Sequence, residues 1–310
     1  MRSESGYKSK WGPEDDLGGL WMACGAFVLW GLLPIYWKSL ESVPPLVVAA
    51  HRFAWSFLFL LPLVLARGGG RALVDSFLRP QVLAIHFAAG LFLALNWWLY
   101  IWATVNERIL DGALGYFINP LVFLLFGRLF FGESLGRRQV WAVGLAACGV
   151  AAPVVVAGVF PWVALCLALS FGAYGILRKY SPLGAITGSS LETVLWLPVA
   201  LVLLWFLPAV PMMERSPVEI FLLAGSGIVT ATPLLLFAAA ARRINLGTLG
   251  MLQFLGPSLQ FLIGWLVYGE ALPLWRLGSF VLIWAAIALY ISGIRRANAA
   301  AGAENPPVGR

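Results

Sequence analysis

The chain has 310 residues, 61% hydrophobic and 11% charged, with a formal net charge of +7, and a mean hydropathy of +0.86. Soluble domains carry roughly 25% charged residues, so a water-exposed surface could not be covered here and the chain reads as an all-α integral membrane protein. A β-barrel is excluded as well, because barrel strands alternate apolar and polar residues and these segments are apolar all round.

Apolar runs bounded by charge, Gly or Pro predict ten spans: residues 17–36, 45–66, 81–105, 112–131, 139–157, 160–177, 187–207, 218–241, 247–268 and 274–293. The first is too long for a removed signal peptide, and Glu14, Asp15 and Asp16 before it are wrong for a basic n-region. Counted along these spans, one set of loops holds the pairs Arg137–Arg138, Arg178–Lys179, Arg242–Arg243 and Arg295–Arg296. The other set holds Lys38, Arg108, Arg215 and Arg276. The positive-inside bias then predicts that both termini are cytoplasmic. No Lys/Arg run exceeds two, which argues against a nucleic-acid groove. Residues 1–16 read as a cytoplasmic tail and 294–310, rich in Ala, Asn, Gly and Pro, as a disordered one. Cys24, Cys148 and Cys166 lie inside apolar runs and read as small core residues, not as a disulfide or metal set. No cofactor is expected.

The two halves echo each other. Phe117-x-x-Pro120 is followed by Gly127, Gly132 and Glu133, and Phe254-x-x-Pro257 by Gly264, Gly269 and Glu270, at identical spacing and 137 residues apart. Each unit holds five spans, an odd number, so the second must insert upside down. Inverted repeats that rock about a midplane site are the architecture of many secondary transporters.

Several motifs then make a resemblance. They are His51-Arg52-x-x-Trp55-Ser56, Asn96-Trp97, Leu114-Gly115-Tyr116-Phe117-Ile118-Asn119-Pro120-Leu121 and Tyr174-Gly175-x-x-Arg178-Lys179, with Glu192-Thr193, Thr232-Pro233-Leu234 and Gln253-Phe254-x-x-Pro257. The chain resembles the RarD family of bacterial inner-membrane permeases, in the drug/metabolite transporter superfamily. It departs from the family pattern at Asp111 and Ala113, where glutamate and serine are usual. The resemblance implies two EamA repeats, 17–157 and 160–293, and a carrier in the inner membrane; it implies no substrate.

Ionisable groups inside a membrane span are functional candidates by default. His51 and Arg52 fall roughly 10 Å from the outer end of the second span, at 1.5 Å per residue, and Glu192 a similar distance from the inner end of the seventh. We expect Arg52 or His51 to exchange contact with Glu192, or with a substrate carboxylate; the competing reading is a static buried ion pair. His51 is the group whose ordinary titration lies nearest neutral pH. Trp30, Asn96, Tyr100, Tyr116, Asn119, Tyr174, Thr232 and Gln253 form the expected substrate lining, with Pro120 and Pro257 as kinks; helix packing through polar and small residues is the alternative. His86 reads as interfacial, and Glu133 and Glu270 as helix-end groups.

The expected function is a secondary carrier of small metabolites or drugs by alternating access, driven by protons or by exchange, since the chain has no Walker A sequence. An enzyme or channel using His51, Arg52 and Glu192 is the competing class. No catalytic set converges by spacing and no pore loop is apparent. Expected partners are a small-molecule substrate and membrane lipid, with a homodimer through the fifth or tenth span left open.

Overall fold

The computed structural model describes residues 17–131, 137–207, 214–240, 243 and 252–304. Among the described residues all regular structure is helical. The helices are α1 (Leu17–Lys38), α2 (Pro45–Ala66), α3 (Gly70–Ser76), α4 (Pro80–Val105), α5 (Ile109–Phe131), α6 (Arg137–Ala157) and α7 (Trp162–Tyr180). They are followed by α8 (Ala185–Phe206), α9 (Pro217–Ala240), α10 (Leu255–Leu262), which runs into a π-helical turn at Ile263–Val267, and α11 (Leu274–Glu304). Seven of these are long and apolar enough to cross a membrane, and three shorter apolar stretches lie at Ile109–Val122, Leu255–Val267 and Leu274–Tyr290. This is a multi-pass membrane protein.

The boundaries follow local chemistry. Pro45 and Pro80 open α2 and α4 at first-turn positions, where the missing N–H is one that a helix start leaves unbonded anyway. Lys38 closes α1 and Arg178 and Lys179 close α7, cations at the negative end of the helix dipole. Two features differ from expectation. The short α3 is an unforeseen helix in a charged connection. Helix α11 continues through residues 297–304, into the stretch that composition assigns to a disordered tail; five of its residues are Ala, the best helix former.

The helices associate in antiparallel pairs. Gly69, just past the end of α2, lies against Thr187 at the start of α8, while Ala50 and Phe53 near the start of α2 share a cluster with Ala200 and Leu203 late in α8. Tyr36 late in α1 donates to the carbonyl of Leu222 early in α9. Likewise Trp102 at the end of α4 packs on Trp162 at the start of α7, ring centroids 5.3 Å apart. Arg138 at the start of α6 donates to Ser292 late in α11 at 2.9 Å. Close approach at two further crossings depends on glycine. A Cβ on Gly227 of α9 would lie 2.4 Å from the backbone of Trp55 in α2, and one on Gly115 of α5 would lie 2.9 Å from the carbonyl oxygen of Ala164 in α7.

The cysteines correct the sequence reading. Cys24 is half-buried, and Cys148 and Cys166 are exposed on α6 and α7 rather than in the core. A helix apolar on every face gives no periodicity by which to tell lipid from protein.

Candidate functional site

Two buried polar clusters occupy the helix bundle. The first surrounds Arg52, the eighth residue of α2, which is 4% exposed. Its Nε donates to Thr230 Oγ1 on α9 at 2.6 Å. Its guanidinium lies over the rings of Trp97, 3.9 Å from the centroid, and Trp37, at 5.0 Å. Trp37 and Tyr100 belong to one apolar cluster, with Tyr36, Trp30 and Tyr116 against it. Aromatic faces attract a cation but leave its charge uncancelled. His51, one residue earlier, is half-buried.

The second cluster surrounds Glu192, the eighth residue of α8, which is 1% exposed. Its Oε1 lies 3.0 Å from His86 Nδ1 on α4 and 3.1 Å from Arg178 Nη1 on α7, and Tyr174 OH donates to its Oε2 at 3.4 Å. His86 Nε2 meets Ser181 Oγ at 2.7 Å, and Arg178 Nη2 donates to the carbonyl of Ala185 at 3.3 Å. His86 is fully buried, not interfacial, because its ring is taken up by this network. The partners of Glu192 are therefore His86 and Arg178, and that of Arg52 is Thr230.

A polar and aromatic path joins the clusters. Tyr100 and Tyr116 rings lie 5.3 Å apart, Tyr116 and Phe171 6.5 Å, and Phe171 and Tyr174 5.9 Å. Tyr116 OH donates to Asn96 Oδ1 at 3.3 Å, and Asn96 Nδ2 donates to the carbonyl of Leu167 and to Ser170 Oγ on α7. Of the residues singled out in the sequence, Arg52, Asn96, Tyr100, Tyr116, Tyr174 and Glu192 thus lie along one path. Asn119 is buried on α5 with its Oδ1 unpartnered. Trp30 packs on Phe27 and Phe237, at 5.6 and 5.8 Å, and its carbonyl accepts from Gln260 at 3.1 Å. Thr232 and Gln253 are half-buried; the hydroxyl on Arg52 is that of Thr230, one α9 residue pair earlier. Pro120 lies inside α5. Pro257 falls in the first turn of α10, behind a non-helical turn at Gln253 and Phe254, where it breaks no hydrogen bond of that helix.

Sequence reasoning missed His86 and Arg178. A lone histidine six residues inside an apolar run was a usable signal, as was the i, i+4 spacing of Tyr174 and Arg178 on one helix face.

A third group closes the end of the bundle nearest Arg52. Glu270 accepts from the backbone N–H of Ile109 at 2.5 Å and of Leu110 at 2.9 Å, two donors that the start of α5 leaves without helical partners. Asp111 beside it bridges Arg108 at 2.8 Å and Arg276 at 3.3 Å. Burial pushes the Glu270 carboxyl above the usual range for a glutamate, against the lowering effect of the Leu110 and Ile109 amides. Its counterpart in the repeat, Glu133, lies outside the described residues. Among the described residues, no group of three or more His, Cys, Asp or Glu is placed to hold a metal ion.

Comparison with known proteins agrees with this architecture. Residues 17–154 match the EamA-like transporter family. A Vibrio cholerae protein named "Uncharacterized transporter" is 40% identical over 291 residues, covering 93% of this chain and 96% of that one. "Protein RarD" of Escherichia coli strain K12 is 38% identical over 276 residues, 88% of this chain and 93% of its own. A solved crystal structure with 23% identity superposes with a TM-score of 0.59, over 87% of this chain and 96% of that one; it supports the fold alone.

Proposed function

This chain belongs to the RarD family of EamA transporters, and from that premise we propose that it is a secondary carrier working by alternating access in the bacterial inner membrane. Ten crossings in two inverted five-helix repeats, with both termini cytoplasmic, complete the reading. The observation that carries it is a pattern of antiparallel helix pairs that exchange of the two repeats maps onto itself. The first span meets the eighth as the third meets the sixth, and the second meets the seventh, around the path from Arg52 to Glu192.

In this reading the two halves rock about that path, and the polar groups along it, Asn96, Tyr100, Tyr116 and Tyr174, contact the substrate. Glu192 with His86 and Arg178 is the coupling group. Protonating the carboxylate would release Arg178 and loosen α7 from α8, which gives a proton a route to bias one conformation over the other. The Glu270 and Asp111 contacts close the outer end.

Reconstitution tests the proposal. Purified protein in proteoliposomes should show saturable uptake and trans-stimulated exchange of a labelled small metabolite, without chemical change to it. Conductance steps in a planar bilayer, or turnover of the compound, would reject a carrier in favour of a channel or an enzyme.

A further inference from the structure

Arg52 is a buried cation whose donors are only partly used. One donor goes to Thr230 Oγ1, while Nη1 has no hydrogen-bond partner, and neither do Trp37 Nε1 nor Tyr100 OH beside it. Among the described residues no carboxylate lies within ion-pair distance of Arg52. Buried polar groups are normally satisfied, and a buried charge is costly unless an opposite charge meets it. Here three donors without partners share one aromatic cluster.

We propose that the site takes an organic monoanion, a single carboxylate on a compact aromatic or apolar body. Arg52 Nη1 receives the carboxylate, Tyr100 OH and Trp37 Nε1 are the further donors, and the rings of Tyr100 and Tyr116 receive the body. The guanidinium presents its donors in a planar fork that matches a carboxylate, and aromatic side chains bind a flat apolar body at low entropic cost. The count of charge selects the class. One carboxylate on one guanidinium leaves a neutral pair, whereas a dianion or an amine leaves net charge in the bundle centre. The proposal rests on the carrier reading for what happens after binding.

The test uses three probes with one body: benzoate, benzyl alcohol and benzylamine. Thermal unfolding of the purified full chain should shift upward, saturably, with benzoate alone. Arg52→Gln should abolish the shift. Tyr100→Phe, which removes one oxygen and keeps the ring, should raise the half-saturating concentration about tenfold, the effect of a hydrogen bond to a charged group. An equal shift with either other probe, no shift with benzoate, or a benzoate shift unchanged in both variants overturns the assignment. Counterflow in proteoliposomes separates the two ideas. Saturable benzoate binding without counterflow would sink the carrier reading and leave the anion site standing; counterflow of benzylamine alone would do the reverse.

Discussion

His86 and Glu192, 106 residues apart in the chain, meet at 3.0 Å with side chains 0% and 1% exposed. The contact ties α4 to α8, and Arg178 on α7 makes it a three-helix junction. Removing one member of a buried ion pair strands the other, at about 3–5 kcal/mol. Glu192→Ala should therefore lower the melting temperature of the purified protein sharply, while Glu192→Gln, which can still accept from Arg178, should cost less and abolish any proton dependence of transport. Equal melting temperatures for wild type and Glu192→Ala would show that the junction is not a structural tie.

Glu270 supplies a pH dependence with a definite sign. Its folded carboxyl is raised above the ordinary value by burial, so the protonated form is favoured in the folded chain. The stability it contributes is fully present below the unfolded value and is lost as pH rises through the folded one. Melting temperature should fall across that window, and Glu270→Gln should flatten the fall. Glu270→Ala should also cost about 1–2 kcal/mol by leaving two N-terminal donors of α5 without an acceptor.

The crossing of α2 and α9 leaves no room at Gly227. A Cβ there would lie 2.4 Å from the Trp55 carbonyl carbon and 2.8 Å from the Ser56 nitrogen, atoms that cannot move without shifting the helix. Gly227→Leu should separate the two helices and break the Thr230 contact to Arg52. The expected result is loss of the monodisperse peak on size-exclusion chromatography. The control is Gly144→Leu, at a position with open space around it, which should be neutral.

Cys148 and Cys166 are exposed on helices long and apolar enough to cross a membrane, so lipid rather than water should surround them. Thiols react as thiolates, which need water. In intact membranes a charged methanethiosulfonate should leave both unlabelled, and denaturation in detergent should expose them. Labelling in the native membrane would place these faces in contact with water.

Much of the helix plan was legible because proline, glycine and charge mark the ends of apolar runs; α2 begins at Pro45 and ends at Ala66, as its sequence pattern predicts. Arg52 and Glu192 were legible too, since an ionisable residue inside such a run stands out. Their partners were not. Arg178 sits beside Lys179 in what reads as a basic loop, and only the packing of α4, α7 and α8 turns it inward with His86. The cysteines failed for the complementary reason. Where the solvent is as apolar as the core, hydrophobicity carries no information about which way a side chain faces.

The π-helical turn at Ile263–Val267 closes with Tyr268 N–H on the carbonyl of Ile263 at 3.0 Å, one residue more than an α-turn encloses. Each residue of an α-helix turns the chain by about 100°, so the surplus residue sets the azimuth of everything beyond it, including the carboxylate that clasps α5. The turn works as a phase shifter between a membrane helix and the lock it carries. Chain length here is thereby under tighter constraint than composition: a single-residue deletion within the turn would keep every apolar side chain but one, and still aim Glu270 away from Ile109.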